Sequence, residues 1–248
     1  MNGGISLIER LKTSYKEESG MTKYNLVLFD ADGTLFDYDQ AEGIALQKTF
    51  EHHQFEYCDD IWSRYRVINS RMWMEFESGR MDKVDLQIGR FRSLLEESNL
   101  KTDAAVFNSI YLDFLAEGGY LINGALEVCR ELSFHCTLAI ATNGIARTQI
   151  GRLKNSAIEP YIKHIIVSED AGYQKPHRGF FQYAFSVCGQ QDKDKVIIVG
   201  DSLSADIKGG ADFGINTCWY NPEGIEENNG LRSDYEIKDL RELPRLIL

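Results

Sequence analysis

The chain has 248 residues, with 38 acidic and 27 basic side chains and a formal net charge of −11. Hydrophobic residues make up 43% of it, as in a globular protein and unlike a disordered chain. The acidic balance disfavours a nucleic-acid polymer as partner, because phosphate backbones require basic patches. No apolar run reaches the ~18 residues of a membrane span, and the five cysteines lack C-x-x-C spacing, so we expect a cytoplasmic protein without a membrane partner.

The first segment, residues 1–20, carries no secretory signal, because its apolar run is too short. We expect either a flexible N-terminal extension or a short helix with Ile5, Ile8, Leu11 and Tyr15 on one face, and we assign the segment no function.

From residue 24 onward, apolar runs of strand length alternate with stretches of helical spacing. Runs that are apolar on both faces predict strands of a parallel sheet covered by helices on both sides. The predicted strands are 24–29, 136–141, 163–168, 195–200 and 215–220. The predicted helices between them are 123–132, 144–156, 176–188 and 204–213. This alternation predicts an α/β fold with a doubly wound, Rossmann-like parallel sheet.

About a hundred residues between the first two strands contain no convincing strand, which is too long for a crossover connection. They contain four predicted helices, at 40–53, 59–77, 82–98 and 103–116. Such an interval is large enough for a small bundle. We therefore predict an all-helical domain at 37–117, inserted into an α/β core domain made of 21–36 and 118–248.

Two carboxylates, Asp30 and Asp32, stand at the carboxyl end of the first predicted strand. In an extended chain, side chains two residues apart point to the same side, so we expect these carboxylates to converge. Carboxylates at the end of a buried strand are costly unless something uses them. The alternative is a turn that ends the strand, because Asp-Gly sequences often form one.

The fourth predicted strand ends in a similar way, with Asp201 at its end and Asp206 one turn into the next helix. Helix capping is the alternative interpretation. In doubly wound folds, ligands bind at the carboxyl ends of the strands. Four carboxylates there would repel one another without a hard cation, so we predict a Mg²⁺ site formed by Asp30, Asp32, Asp201 and Asp206.

Polar residues also follow the second and third predicted strands. Thr142, Asn143 and Gly144 precede a helix, where a hydroxyl, an amide and backbone N–H groups can bind an anion, unless they form only an N-cap. Lys175 precedes Pro176 and either extends into solvent or reaches the aspartates and a phosphate.

Taken in order, the motifs D-x-D-G-T, T-N, K-P and G-D-x-x-x-x-D resemble those of the haloacid dehalogenase superfamily of phosphohydrolases. The resemblance implies that Asp30 is the nucleophile, which attacks phosphorus and becomes an aspartyl-phosphate. It implies that Asp32 is the general acid that protonates the leaving oxygen and then activates water. It further implies that Thr142 binds phosphate and that Lys175 steadies the nucleophile and the phosphate.

The same resemblance implies a magnesium cofactor, with Asp201 as a ligand and Asp206 as a direct or water-mediated one. It also implies that the inserted helices form a cap that contacts the leaving group. True 2-haloacid dehalogenases resemble D-x-Y at the first motif, so Asp32 favours phosphate-ester hydrolysis. A catalytically silent binding module would be expected to lack one of the carboxylates, and all are present.

The richest stretch of the inserted helices contains Arg71, Trp73, Phe76 and Arg90. Trp73 and Phe76 are three residues apart and share a helix face. They favour either a platform for a nucleobase, with Arg71 or Arg90 on base or phosphate, or simply the core of the helical domain.

The patterns W-x-x-F-x-x-G, L-Q-x-G-R-F and S-E-D-x-G-x-x-K-P resemble the bacterial pyrimidine 5′-nucleotidase family. This resemblance implies a small phosphorylated metabolite as substrate, and in particular a nucleoside 5′-monophosphate. Phosphatases of phosphoglycolate or sugar phosphates share the architecture and remain the alternative. The sequence does not indicate an oligomeric state.

Overall fold

The computed structural model describes residues 22–226 and 230–248, so the extension predicted at 1–20 lies outside the described residues. One six-stranded sheet forms the centre of the fold. Its strands are β1 (Leu26–Phe29), β2 (Thr137–Thr142), β3 (His164–Val167), β4 (Val196–Gly200), β5 (Asn216–Tyr220) and β6 (Tyr235–Ile237). All neighbours pair in parallel, in the order β3-β2-β1-β4-β5-β6. The predicted doubly wound α/β fold is confirmed.

Ten α-helices are described along the chain. They are α1 (Tyr38–His52), α2 (Asp59–Glu77), α3 (Lys83–Glu97), α4 (Ala104–Glu117), α5 (Ala125–Leu132), α6 (Ala146–Lys154), α7 (Ser168–Ala171), α8 (Arg178–Cys188), α9 (Lys208–Phe213) and α10 (Leu243–Ile247). A π-helical turn, Leu203–Ile207, leads directly into α9. Short 3₁₀ turns occupy Glu159–Tyr161, Lys193–Lys195 and Leu240–Glu242. Within the described ranges, none of the helices is long and apolar enough to cross a membrane.

Both faces of the sheet are buried, which explains why its strands are apolar at successive positions. In β1, Val27 and Phe29 face one hydrophobic cluster, while Leu26 and Leu28 face the other. Residues of α5 and α10 cover the first face, and residues of α8 cover the second. The central strands are therefore fixed from both sides, and their carboxyl ends form a rigid edge.

The chain divides into two compact units. Asp39–Gly118 forms a helical unit containing α2, α3 and α4, and the α/β unit contains the described residues up to Tyr38 and from Gly119 onward. An aromatic cluster packs inside the helical unit. The Phe91 ring lies 5.1 Å from that of Phe107 and 4.8 Å from that of Tyr111, centroid to centroid.

Candidate active site

Three carboxylates meet at the carboxyl edge of the sheet. Asp30 follows β1, Asp201 follows β4, and Asp206 lies in the π-helical turn. One carboxylate oxygen of each lies within 4.8 Å of those of the other two. The strand ends are adjacent because β1 and β4 pair in register, with Phe29 opposite Val199.

A buried lysine links two of these carboxylates. The Nζ atom of Lys175 lies 2.5 Å from Asp30 Oδ1 and 2.6 Å from Asp206 Oδ1, and it donates to the Ala141 carbonyl at 2.6 Å. The backbone of Lys175 is held by the Asn143 side chain, which accepts from its N–H at 2.8 Å and donates to its carbonyl at 3.0 Å. Asn143, predicted to bind substrate, therefore uses its amide to position the lysine.

Burial dominates the electrostatics of this group. It raises the pKa of Asp30 well above the usual value, and the charges of Asp206 and Asp201 add to this effect, while Lys175 opposes it. Burial alone would lower the pKa of Lys175, but the charges of Asp206 and Asp30 outweigh it, so this pKa is raised. Lys175 is therefore a fixed cation, and it pairs with two of the three acidic side chains.

Asp201 is held by groups to which the sequence motifs gave no role. Thr34 Oγ1 donates to Asp201 Oδ1 and accepts from its backbone N–H, both at 3.1 Å, and Trp219 Nε1 donates to its carbonyl at 2.9 Å. Gly33 has φ +82°, and a Cβ there would lie 2.7 Å from Asp201 Oδ2. Although Asp201 reaches solvent, the protein packed around its carboxylate and the nearby Asp206 charge raise its pKa to about 6.

Asp32 does not join the group of three carboxylates found among the described residues. One of its oxygens accepts from Gln149 Nε2 at 2.6 Å, and the other pairs with the guanidinium of Arg152. The structure therefore differs from the predicted four-carboxylate site, because α6 supplies donors that draw Asp32 to itself. Neither donor was predicted from the sequence. The feature that marks them is the presence of two long polar residues, three apart on one helix, at positions that the fold buries.

Thr142 ends β2, the strand next to β1, and its side chain is buried. Its Oγ1 accepts from the Gly144 backbone N–H at 3.0 Å, which fixes the start of the loop before α6. The structure thus places the hydroxyl one strand away from Asp30, and its role in binding phosphate stays a prediction.

The residues predicted to contact substrate from the helical unit fall into two groups. Trp73 is partly exposed and packs edge-to-face on Phe76 with ring centroids 5.6 Å apart, and Arg71 is exposed. These side chains are accessible on α2, and their contact with substrate stays a prediction.

Arg90, in contrast, is a buried structural residue, which corrects its predicted role in binding substrate. It is 1% exposed, and its guanidinium donates to Asn69 Oδ1 at 3.0 Å, to Tyr65 Oη at 3.3 Å and to Asn108 Oδ1 at 3.4 Å. The same network contains Glu42, which was not among the predicted residues and which accepts from Asn69 Nδ2 at 2.7 Å. Arg90 therefore holds the helices of its own unit together.

Residues 24–214 match the model of the haloacid dehalogenase-like hydrolases. The match spans most of the chain, and the chain belongs to this family of hydrolases. The resemblance inferred from the four motifs is confirmed.

Three of the relatives that match about nine-tenths of this chain are bacterial proteins of similar length. The HAD-hydrolase YfnB of Bacillus subtilis is 39% identical over 92% of this chain and 97% of its own length, and its magnesium-bound crystal structure superposes with a TM-score of 0.85. The pyrimidine 5′-nucleotidase YjjG of Escherichia coli is 30% identical over 91% of this chain and 98% of its own length. The pyrimidine 5′-nucleotidase PynA of Streptococcus pneumoniae is 32% identical over 89% of this chain and 93% of its own length.

Proposed function

We propose that the protein is a magnesium-dependent phosphomonoester hydrolase that acts through an aspartyl-phosphate, with pyrimidine nucleoside 5′-monophosphates as preferred substrates. The observation that carries the proposal is the buried Asp30–Lys175–Asp206 arrangement, with Asp201 beside it and Asp32 two residues from the nucleophile. The group combines a fixed nucleophile, a fixed cation and a separate carboxylate for proton transfer, as phosphate-ester hydrolysis requires.

The three grouped carboxylates fit a magnesium ion. Asp30, Asp201 and Asp206 offer only oxygen ligands, which suit a hard divalent cation, and Lys175 forms ion pairs with two of the three. When bound, magnesium would offset the charge of the phosphate and of the nucleophile. The magnesium-bound structure of YfnB supports this assignment.

The chain's own residues divide the chemistry between them. A carboxylate oxygen of Asp30 forms a bond to phosphorus while the bond from phosphorus to the leaving oxygen breaks, and Asp32 gives that oxygen its proton. Water then attacks the phosphorus of the aspartyl-phosphate, Asp32 takes up a proton from it, and the bond to Asp30 breaks to release phosphate. Lys175 holds Asp30 in place throughout, because its Nζ is fixed by three oxygen partners.

The relatives support nucleotides as the substrate class. YjjG and PynA are pyrimidine 5′-nucleotidases, and each aligns with about nine-tenths of this chain. Trp73 and Arg71 are accessible on α2 and suit a base and a phosphate, by stacking and by charge respectively.

Carbon–halogen cleavage fits the residues less well. A halide leaves without a proton, whereas an alkoxide leaving group must receive one, so only ester hydrolysis gives the Asp32 carboxyl a role in the first step. The position of Asp32, apart from the three grouped carboxylates and on separate donors, agrees with that role.

The test is a panel of phosphomonoesters, assayed with magnesium and after chelation. The panel compares pyrimidine and purine nucleoside 5′-monophosphates, sugar phosphates and phosphoglycolate, and 2-chloropropionate is assayed for halide release. We expect magnesium-dependent release of phosphate, with the highest kcat/KM for the pyrimidine nucleotides. Release of halide without release of phosphate from any ester would overturn the proposal, and a preference for sugar phosphates would overturn its substrate class.

A further inference from the structure

We propose that Gln149 and Arg152 are positioning residues for Asp32, which hold its carboxylate apart from the metal-binding group and so reserve it for proton transfer. This inference rests on the proposed function and adds two residues to its machinery. In the D-x-D motif, the proposed nucleophile and the proposed acid and base stand only two residues apart. Their different tasks require that the two carboxylates occupy different positions.

The contacts form a clamp with one donor for each carboxylate oxygen. Gln149 Nε2 lies 2.6 Å from Asp32 Oδ2, and Arg152 Nη1 forms the ion pair with Oδ1. Gln149 and Arg152 are three residues apart on α6 and therefore lie on the same face of the helix. The two oxygens are thus held from one side, and the orientation of the carboxylate is fixed as well as its position.

The donors themselves are fixed in place. The Arg152 side chain has no exposed surface, and its guanidinium lies 4.8 Å from the ring centre of Phe36 and 5.6 Å from that of Tyr38. The Gln149 amide lies directly over Gly144, where a Cβ would collide with Nε2. Glycine at this position therefore lets Gln149 reach Asp32, which links the T-N-G motif to the clamp.

Burial of the arginine favours a tight clamp on energetic grounds. A buried guanidinium is strongly unfavourable without a carboxylate partner, and Asp32 supplies one. The Asp32 side chain retains 29% exposure, so it remains reachable from solvent while Arg152 is closed off. A buried, immobile donor pair that presents a reachable carboxylate suits a group that must meet a leaving oxygen and then a water molecule.

Leaving-group dependence separates positioning from a general structural role. A nucleoside 5′-alkoxide needs a proton to leave, whereas p-nitrophenolate leaves without one. The kcat/KM value covers only the steps up to loss of the leaving group, so misplacing Asp32 lowers it for nucleotides and spares it for p-nitrophenyl phosphate. The kcat for p-nitrophenyl phosphate still falls, because the water step needs Asp32 with either substrate.

The experiment compares Gln149→Met, Arg152→Met and Arg152→Lys with the wild type on uridine 5′-monophosphate and p-nitrophenyl phosphate. For both methionine variants we expect kcat/KM to fall at least about tenfold on the nucleotide and less than about threefold on the aryl ester. Arg152→Lys recovers part of the nucleotide loss, because an ammonium group can still pair with Asp32. Arg130 is an exposed arginine on α5, so Arg130→Met is the matched control. It should keep the wild-type kcat/KM for both substrates.

Thermal unfolding of each variant identifies any loss of folded protein, and Gln149→Met carries the test if Arg152→Met does not fold. An equal fall in kcat/KM for the two substrates, or no fall in kcat/KM for either, would overturn the clamp. Either result would leave the proposed function standing. A wild-type protein that hydrolyses neither ester would overturn the proposed function and the clamp with it.

Discussion

At the scale of single residues, Asp30 is distinguished by a direct contact with a buried cation and by its place at the end of a central strand. Asp30→Asn keeps the shape but cannot form an acyl-phosphate, so we expect kcat to fall by at least about a thousandfold. Steady-state assays on uridine 5′-monophosphate measure this change. Asp212→Asn, at an exposed aspartate on α9 that pairs with Lys208, is the control and should keep full activity. Wild-type turnover by Asp30→Asn would remove Asp30 as the nucleophile.

Lys175 contacts both Asp30 and Asp206, so its removal should affect stability. Lys175→Met removes this cation. Among the described residues, no other cation forms an ion pair with Asp30 or Asp206. Without magnesium, we expect the free energy of unfolding to fall by about 3 kcal/mol, since buried charge loses its partner. Urea denaturation measures the change. Lys208→Met, which removes an exposed helical ion pair, should cost about 0.5 kcal/mol or less, and an equally small effect of Lys175→Met would contradict this account.

At the scale of elements, the turn after β1 has to clear the neighbouring strand end. Gly33→Ala places a methyl group 2.7 Å from Asp201 Oδ2 at a positive φ, so the carboxylate must move. We expect the magnesium concentration for half-maximal activity to rise at least about tenfold. Gly172→Ala is a matched control, since Gly172 has φ +70° but no atom within 4 Å of its Cβ position.

Both glycine variants should lose about 1 kcal/mol of stability from the left-handed backbone conformation. Only Gly33→Ala should change the magnesium requirement. If the two variants needed the same magnesium concentration as the wild type, the placement of Asp201 at the metal site would be wrong.

In the helical unit, we expect Arg90 to contribute to stability and not to substrate binding. Because the guanidinium is buried among Tyr65, Asn69 and Asn108, Arg90→Met should lower the free energy of unfolding by about 3 kcal/mol. The KM for nucleotides should change little. Arg92→Met, two residues away on α3 and exposed, is the control for both measurements. A large rise in KM at unchanged stability would return Arg90 to the substrate site.

Trp73 belongs to the same unit and tests base recognition. If its indole stacks on the base, Trp73→Ala should raise KM about tenfold for uridine 5′-monophosphate. Ribose 5-phosphate lacks the base and should show no comparable rise. Equal effects on the two substrates would make Trp73 a packing residue of α2.

At the scale of the whole molecule, the sheet follows from the sequence because its strands are buried on both faces. Five apolar runs mark β1 to β5 to within about two residues. The edge strand β6 was not predicted, because Tyr235–Ile237 has only three residues and one of them is a glutamate, so it shows no apolar run. Spacing along the chain therefore indicates the apolar strands, including the edge strand β3, and it misses a short strand that has no apolar run.

The candidate site was predictable in its residues but only partly in its arrangement. The motifs identify Asp30, Asp201 and Asp206, because the carboxyl ends of neighbouring parallel strands meet at one edge. They do not indicate where the Asp32 side chain turns, since its donors come from a helix more than a hundred residues further along the chain. Side-chain direction depends on tertiary contacts, which spacing alone does not contain.

In the proposed mechanism, Asp30 carries the phosphoryl group and Asp32 is needed to remove it. Asp32→Asn incubated with p-nitrophenyl phosphate and magnesium tests this most directly, because the aryl ester can phosphorylate Asp30 without an acid but the product then lacks its base. Mass spectrometry of the intact protein and its peptides should find one phosphoryl group, on Asp30. An unmodified Asp32→Asn protein, alongside a wild type that hydrolyses the same ester, would contradict the proposed aspartyl-phosphate mechanism.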